Sequence, residues 1–160
     1  MSNTAEKPTI FVTRRWPDAA EEALKKYFTP TFNKQDVPLT AAQIAAGFAS
    51  HDALAPTVSD QITADIIAAG AAGSGRLIAN FGVGVNHIDL SAAAAAGLAV
   101  SNTPGVLTDA TADLALTLIL MLSRRAGEGE RELRAGEWRG WRPTHLMGRA
   151  LQDKTLGIIG

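Results

Sequence analysis

The sequence of 160 residues has no cysteine. Disulfides, thiolate zinc sites and a cysteine nucleophile are therefore excluded, and the absence suits a reducing, cytoplasmic setting. An excess of one charge is also missing: 15 lysines and arginines face 16 aspartates and glutamates, for a formal net charge of −1. Nucleic-acid binders cluster a surplus of lysine and arginine on one face, so no nucleic-acid partner is expected. No long hydrophobic run occurs. The most apolar stretch, residues 114–122, follows Asp113 and is far short of the ~20 residues that span a bilayer. The first eight residues are polar and lack the apolar centre of a signal peptide. No membrane partner is expected. With 46% hydrophobic and 19% charged residues, the chain has the composition of an ordinary globular protein. Its length allows one core and a fragment of a second.

Short apolar segments alternate with helical ones over the first hundred residues. Thr9-Ile10-Phe11-Val12-Thr13 is β-branched and aromatic, which predicts a first strand. Pro17 and Asp18 open a helix to about Tyr27. Residues 29–33 predict a second strand. Thr40, with Gln43 in the capping-box position, starts a helix to about Ala49. Residues 52–55 form a short third strand, and Ser59 caps a helix to about Ala69 that Gly70 and Gly73 end. Residues 76–80 are a fourth strand. After a glycine-rich turn come the alanines 92–96, a helix stopped by a left-handed Gly97. Residues 98–101 are a fifth strand. This alternation predicts a flavodoxin-like α/β fold, a parallel sheet with helices on both faces.

After Pro104 and Gly105 the pattern changes. Thr108 caps a helix to about Arg125 that resumes, past a break near Gly127 and Gly129, to Leu133. Residues 114–122 are apolar on every side, and such a helix is buried all round. A second domain or a second subunit is expected to cover it. A loop with Trp138, Trp141 and Pro143 follows; aromatic and arginine residues there suit an interface. Residues 154–160 predict a buried strand running into a first glycine, as a dinucleotide-binding unit opens.

The segment Asn80-Phe81-Gly82-Val83-Gly84-Val85-Asn86 places two glycines between strand and helix. Successive backbone N–H groups there, pointing the way a helix N-terminus points, make an anion nest. The dinucleotide fingerprint's third glycine is replaced by His87, which favours a small carboxylate over a pyrophosphate. A tight turn with no ligand remains the alternative. His51, His87 and His145 stand apart from carboxylates at helical spacing and read as surface or capping residues. Neither a metal site nor a catalytic pair is expected among them. Glu128, Glu130 and Glu132 alternate with arginines as a solvated face.

Three segments together resemble the D-isomer-specific 2-hydroxyacid dehydrogenase family. They are Asn80-Phe81-Gly82-Val83-Gly84-Val85-Asn86-His87-Ile88-Asp89, the run from Ser101-Asn102-Thr103-Pro104-Gly105 to Asp113, and Leu151-Gln152-Asp153-Lys154-Thr155-Leu156-Gly157-Ile158-Ile159-Gly160. Val12-Thr13-Arg14-Arg15 and Trp138-x-x-Trp141-x-Pro143 are most similar to its glyoxylate/hydroxypyruvate reductase branch. The resemblance implies that residues 1–106 are the first part of a flavodoxin-like substrate domain. Residues 107–160 would be an interdomain and dimerisation helix, the tryptophan loop and the truncated start of a Rossmann domain. The amides of Val83 and Gly84 would hold the carboxylate of a small 2-oxoacid. Trp141 would reach the neighbouring subunit's substrate pocket in a homodimer formed through residues 108–143. Thr111 would lie near the nicotinamide of NAD or NADP, and Gly160 would begin the pyrophosphate loop. The family's catalytic arginine, glutamate and histidine would all follow the glycine motif, so no residue here takes those roles. The chain reads as the front part of a two-domain oxidoreductase, inactive alone. A non-catalytic flavodoxin-like module that dimerises or binds a protein through the long helix is the alternative.

Overall fold

The computed structural model describes residues 6–159. The polar stretch 1–5 and Gly160, the expected start of a pyrophosphate loop, lie outside the described residues. The chain divides into two compact units between Gly105 and Val106.

The first unit contains β1 (Thr9–Val12), α1 (Asp18–Tyr27), β2 (Thr29–Phe32), α2 (Ala41–Ala49), β3 (Ala53–Ala55), α3 (Ala64–Ala72), β4 (Leu77–Ala79), α4 (Leu90–Ala95) and β5 (Ala99–Ser101). The strands form one parallel sheet in the order β2-β1-β3-β4-β5. This is the flavodoxin-type order. Residues of a strand point alternately to the two faces, and the apolar residues divide accordingly. Ile10, Val12, Ala53 and Ala55 pack with Trp16, Leu24 and Phe28 on one side. Leu54 and Ile78 pack with Ile44, Phe48, Ile66, Ile67 and Ala93 on the other.

The expected capping box forms: Thr40 and Gln43 exchange side-chain and backbone hydrogen bonds at the start of α2. Gly97 takes the left-handed conformation, at φ 68°. Two local expectations fail for tertiary reasons. Ser59 caps nothing, and α3 starts only at Ala64. Residues 57–62 are drawn into the sheet instead, through parallel bridges from Thr57 to Phe81 and from Ile62 to Ile88. Gly70 does not stop α3 but lies inside it, where a β-carbon would meet the Phe48 ring at 2.2 Å. That glycine lets α2 and α3 approach.

The second unit contains α5 (Thr108–Ser123) and α6 (Ala126–Arg134). Leu107, not Thr108, precedes α5 as its N-cap. The break falls at Arg125, at φ 56°, and Gly127 and Gly129 lie within α6. Arg125 holds this turn by donating from Nε and Nη2 to the two carboxylate oxygens of Glu128, at 3.0 and 2.6 Å. No residue of α5 is buried by the chain itself; Leu114, Leu116 and Leu120 are all more than half exposed. The expected closing strand is not formed. Residues 154–159 have no regular structure, and Ile158 and Ile159 are exposed. A parallel strand exists only against a neighbour's backbone, and none pairs with these residues among those described.

Candidate functional site

Beyond β4 the chain leaves the sheet at its carboxyl edge, where open α/β sheets bind ligands. Asn80 is buried, at 3% exposure. Its side-chain nitrogen donates to the carbonyls of Gly82 and Gly84, at 3.1 and 2.9 Å. Asn102, just past β5, donates its side-chain amide to the Val83 carbonyl at 2.9 Å. The Thr103 amide adds a second bond to the Gly82 carbonyl, at 3.0 Å. Three successive carbonyls are thus held by protein donors.

The consequence follows from peptide geometry. In a trans peptide the C=O and N–H point opposite ways. No peptide bond here is cis. The Val83 N–H therefore points away from Asn80, and the Gly84 N–H away from Asn102. Neither amide donates to an acceptor among the described residues. Two adjacent, outward, unpaired donors are what a carboxylate needs. An open cleft of about 340 Å³ lies beside them, lined by Val58, Gln61, Gly84, Asn86 and His87.

The two glycines serve different purposes. A β-carbon at Gly82 would lie 2.8 Å from the Val58 side chain, whereas one at Gly84 would meet nothing within 4 Å. Gly82 admits a close neighbour; Gly84 leaves the approach open. Helix α4 is only six residues long, and Asp89 accepts from its Ala92 amide at 2.9 Å. The donors are those of the turn alone.

His87 is half-buried. Its Nε2 lies 3.0 Å from Asn80 Oδ1. Burial lowers its pKa below the ordinary imidazole value, and nearby Asp60 opposes that effect. Asp60 is itself buried. It accepts from the Thr13 hydroxyl at 2.6 Å and from the Thr57 amide at 2.8 Å, tying the loops after β1 and β3. Trp16 stacks on Phe81 with ring centroids 4.8 Å apart. Arg14 is paired with Asp36, and Arg15 with Asp18 and Glu21.

The second unit carries Thr111 on α5, exposed, and Trp141 in the loop after α6, at 83% exposure. Trp138 is also exposed. The expectation for the acidic run holds only in part. Glu128 and Glu130 are surface partners of Arg125 and Arg134. Glu132 is largely covered, and His145 is not isolated from it. His145 Nε2 lies 2.8 Å from Glu132 Oε2, though off the line a hydrogen bond requires, and Arg142 donates to His145 Nδ1 at 2.7 Å. Among the described residues no group of three or more histidines and acids is placed to hold a metal, and no helix is long and apolar enough to cross a membrane.

The Asn80 and Asn102 side chains are the components that sequence reasoning missed. Each stood in a recognised motif, but only as a letter in it. The available signal was position: an asparagine one residue beyond an apolar strand, beside a glycine turn whose carbonyls need donors.

Residues 10–155 match the family described as D-isomer specific 2-hydroxyacid dehydrogenase, catalytic domain. A glyoxylate reductase of Thermococcus litoralis is 36% identical over 158 residues, which is 96% of this chain and 47% of that protein. A glycerate dehydrogenase of Hyphomicrobium methylovorum is 35% identical over 96% of this chain and 48% of its own length. The chain spans about half the length of the relatives it matches. A crystal structure from Polaromonas sp., described as an NAD-binding D-isomer specific 2-hydroxyacid dehydrogenase, superposes with a TM-score of 0.85 at 38% identity, covering 91% of this chain and 45% of that one. An NADPH-dependent glyoxylate/hydroxypyruvate reductase of Sinorhizobium meliloti, solved with NADP and malonate, gives a TM-score of 0.67 at 32% identity over 83% of this chain and 40% of its own.

Proposed function

The chain belongs to the D-isomer specific 2-hydroxyacid dehydrogenase family, and from that premise we propose that it is the front portion of an enzyme reducing a small 2-oxoacid, such as glyoxylate or hydroxypyruvate. The observation that carries this reading is the pair of outward, unpaired amides at Val83 and Gly84, whose carbonyls are held back by Asn80 and Asn102. A carboxylate seated there accepts two charge-assisted hydrogen bonds and presents its keto carbon to the cleft.

Residues 1–106 are then the substrate domain, and residues 107–160 the start of the cofactor domain. NAD or NADP supplies the hydride, and the protein's part is orientation and charge. Among the described residues, Thr111 is the one that would lie near that cofactor. The exposed apolar side chains of α5 and the two tryptophans after α6 support a homodimer through residues 108–143, with Trp141 reaching the neighbour's pocket. The absence of cysteine supports a cytoplasmic setting. No residue here is assigned the acid, the base or the substrate arginine, so the 160-residue chain alone is inactive. The second reading, a non-catalytic module that dimerises or binds a protein, is favoured by the same exposed α5.

Amide NMR of the chain with added glyoxylate tests the first reading. Val83 and Gly84 shift on titration, while resonances at the opposite sheet edge stay still. Titration that leaves both amides unmoved removes the basis of the proposal. NAD(P)H oxidation by the pure 160 residues would contradict the assignment of the catalytic groups elsewhere.

A further inference from the structure

The aim of the turn depends on which way round the Asn80 carboxamide sits. Its nitrogen faces two acceptors, the carbonyls of Gly82 and Gly84. Turned over, its oxygen would face the same two carbonyl oxygens and be repelled by both. Asn80 is buried, so solvent cannot select the orientation. The two carbonyls select it, and one group meets the oxygen on the other side and reinforces the choice: His87 Nε2, 3.0 Å from Asn80 Oδ1. Carboxamide oxygens only accept, so the imidazole must carry its proton on Nε2.

We propose that His87 is a positioning residue for the carboxylate seat. Its Nε2–H fixes the Asn80 carboxamide, which holds back the carbonyls of Gly82 and Gly84 and so aims the Val83 amide outward. This rests on the reading of Val83 and Gly84 as the seat. His87 also lines the cleft beside Gly84, but its bonded nitrogen is turned to Asn80. Its action on the substrate is indirect.

The test uses the ¹⁵N-labelled chain with glyoxylate as probe, in wild type, His87→Leu and His87→Gln. Glutamine places an amide N–H near the position of Nε2; leucine places none. In the wild type the ring ¹⁵N shifts report an Nε2–H imidazole, and the Asn80 side-chain NH₂ resonances lie apart from those of exposed asparagines. His87→Leu moves those resonances and weakens glyoxylate roughly tenfold, the loss expected of a buried polar partner. His87→Gln restores both. An Nδ1–H tautomer in the wild type overturns the proposal without any variant, which covers the case in which His87→Leu does not fold. A folded His87→Leu with unchanged Asn80 resonances and affinity also overturns it, as does a folded His87→Gln that behaves like the leucine variant. If wild-type Val83 and Gly84 respond to glyoxylate and His87→Leu binds equally well, only the role of His87 fails. If those two amides are silent in the wild type, the seat itself fails and the positioning role with it.

Discussion

Asn102 donates its side-chain amide to the carbonyl of Val83 at 2.9 Å, across 19 residues of sequence. The bond joins the end of β5 to the turn after β4, and it is what turns the Gly84 N–H outward. Replacing Asn102 by alanine should loosen that amide and weaken oxoacid binding several-fold, the scale of one hydrogen bond lost. Asn102 is exposed, so thermal stability should hardly change. Paired calorimetric and NMR titrations check this. Equal glyoxylate affinity in Asn102→Ala would show that the Gly84 amide is not aimed from there.

Gly84→Val should fold normally but bind poorly. The added side chain enters open space, so the core does not notice it, while the approach to the amides is narrowed. The measurement is glyoxylate affinity alongside melting temperature. Wild-type affinity in the valine variant counts against the seat.

Gly70→Ala should show the reverse pattern. The new β-carbon would come within 2.2 Å of the Phe48 ring, and Phe48 is fully buried. Overpacking of this kind destabilises by about 1–3 kcal/mol, enough to exceed alanine's helix-propensity advantage of about 1 kcal/mol over glycine. Urea unfolding of the variant tests it. A midpoint at or above that of the wild type would mean that α2 and α3 can move apart freely.

His87 should give the chain an acid-sensitive component of stability. Burial depresses its pKa in the folded state below the ordinary value of 6.5. As pH falls, the unfolded chain therefore takes up this proton first, and folding must oppose it. The contribution is complete above about pH 6.5 and is lost as pH falls through the lowered folded value. Urea midpoints between pH 8 and 5 should fall less steeply in His87→Gln than in the wild type. Parallel pH profiles would show that His87 is not coupled to folding.

The alternation of strand and helix was legible because it is written in local chemistry. The β-branched residues of β1, the Thr40–Gln43 pair and the left-handed Gly97 each act within a few residues of themselves. What could not be read depended on distant partners. Residues 57–62 carry a plausible cap in Ser59, yet bridges to Phe81 and Ile88 outweigh a local helix start. Gly70 resembles a helix stop, but its role is set by an aromatic ring 22 positions earlier. The glycine turn itself was legible as a candidate anion site. Its outward aim was not, because that is imposed by Asn80 and Asn102 through side-chain bonds that spacing does not encode. Residues 154–159 have the composition of a strand, but composition supplies no neighbour to pair with.

The Trp16–Phe81 stack places an indole one residue from the glycine turn, with its Nε1 sealed from water and unbonded. Trp138 and Trp141 are exposed in the single chain, so Trp16 alone has a sheltered indole. Blue-edge emission should therefore favour Trp16, and an event at the turn that shifts Phe81 should change its intensity. The molecule thereby carries its own label-free optical gauge of that edge of the sheet.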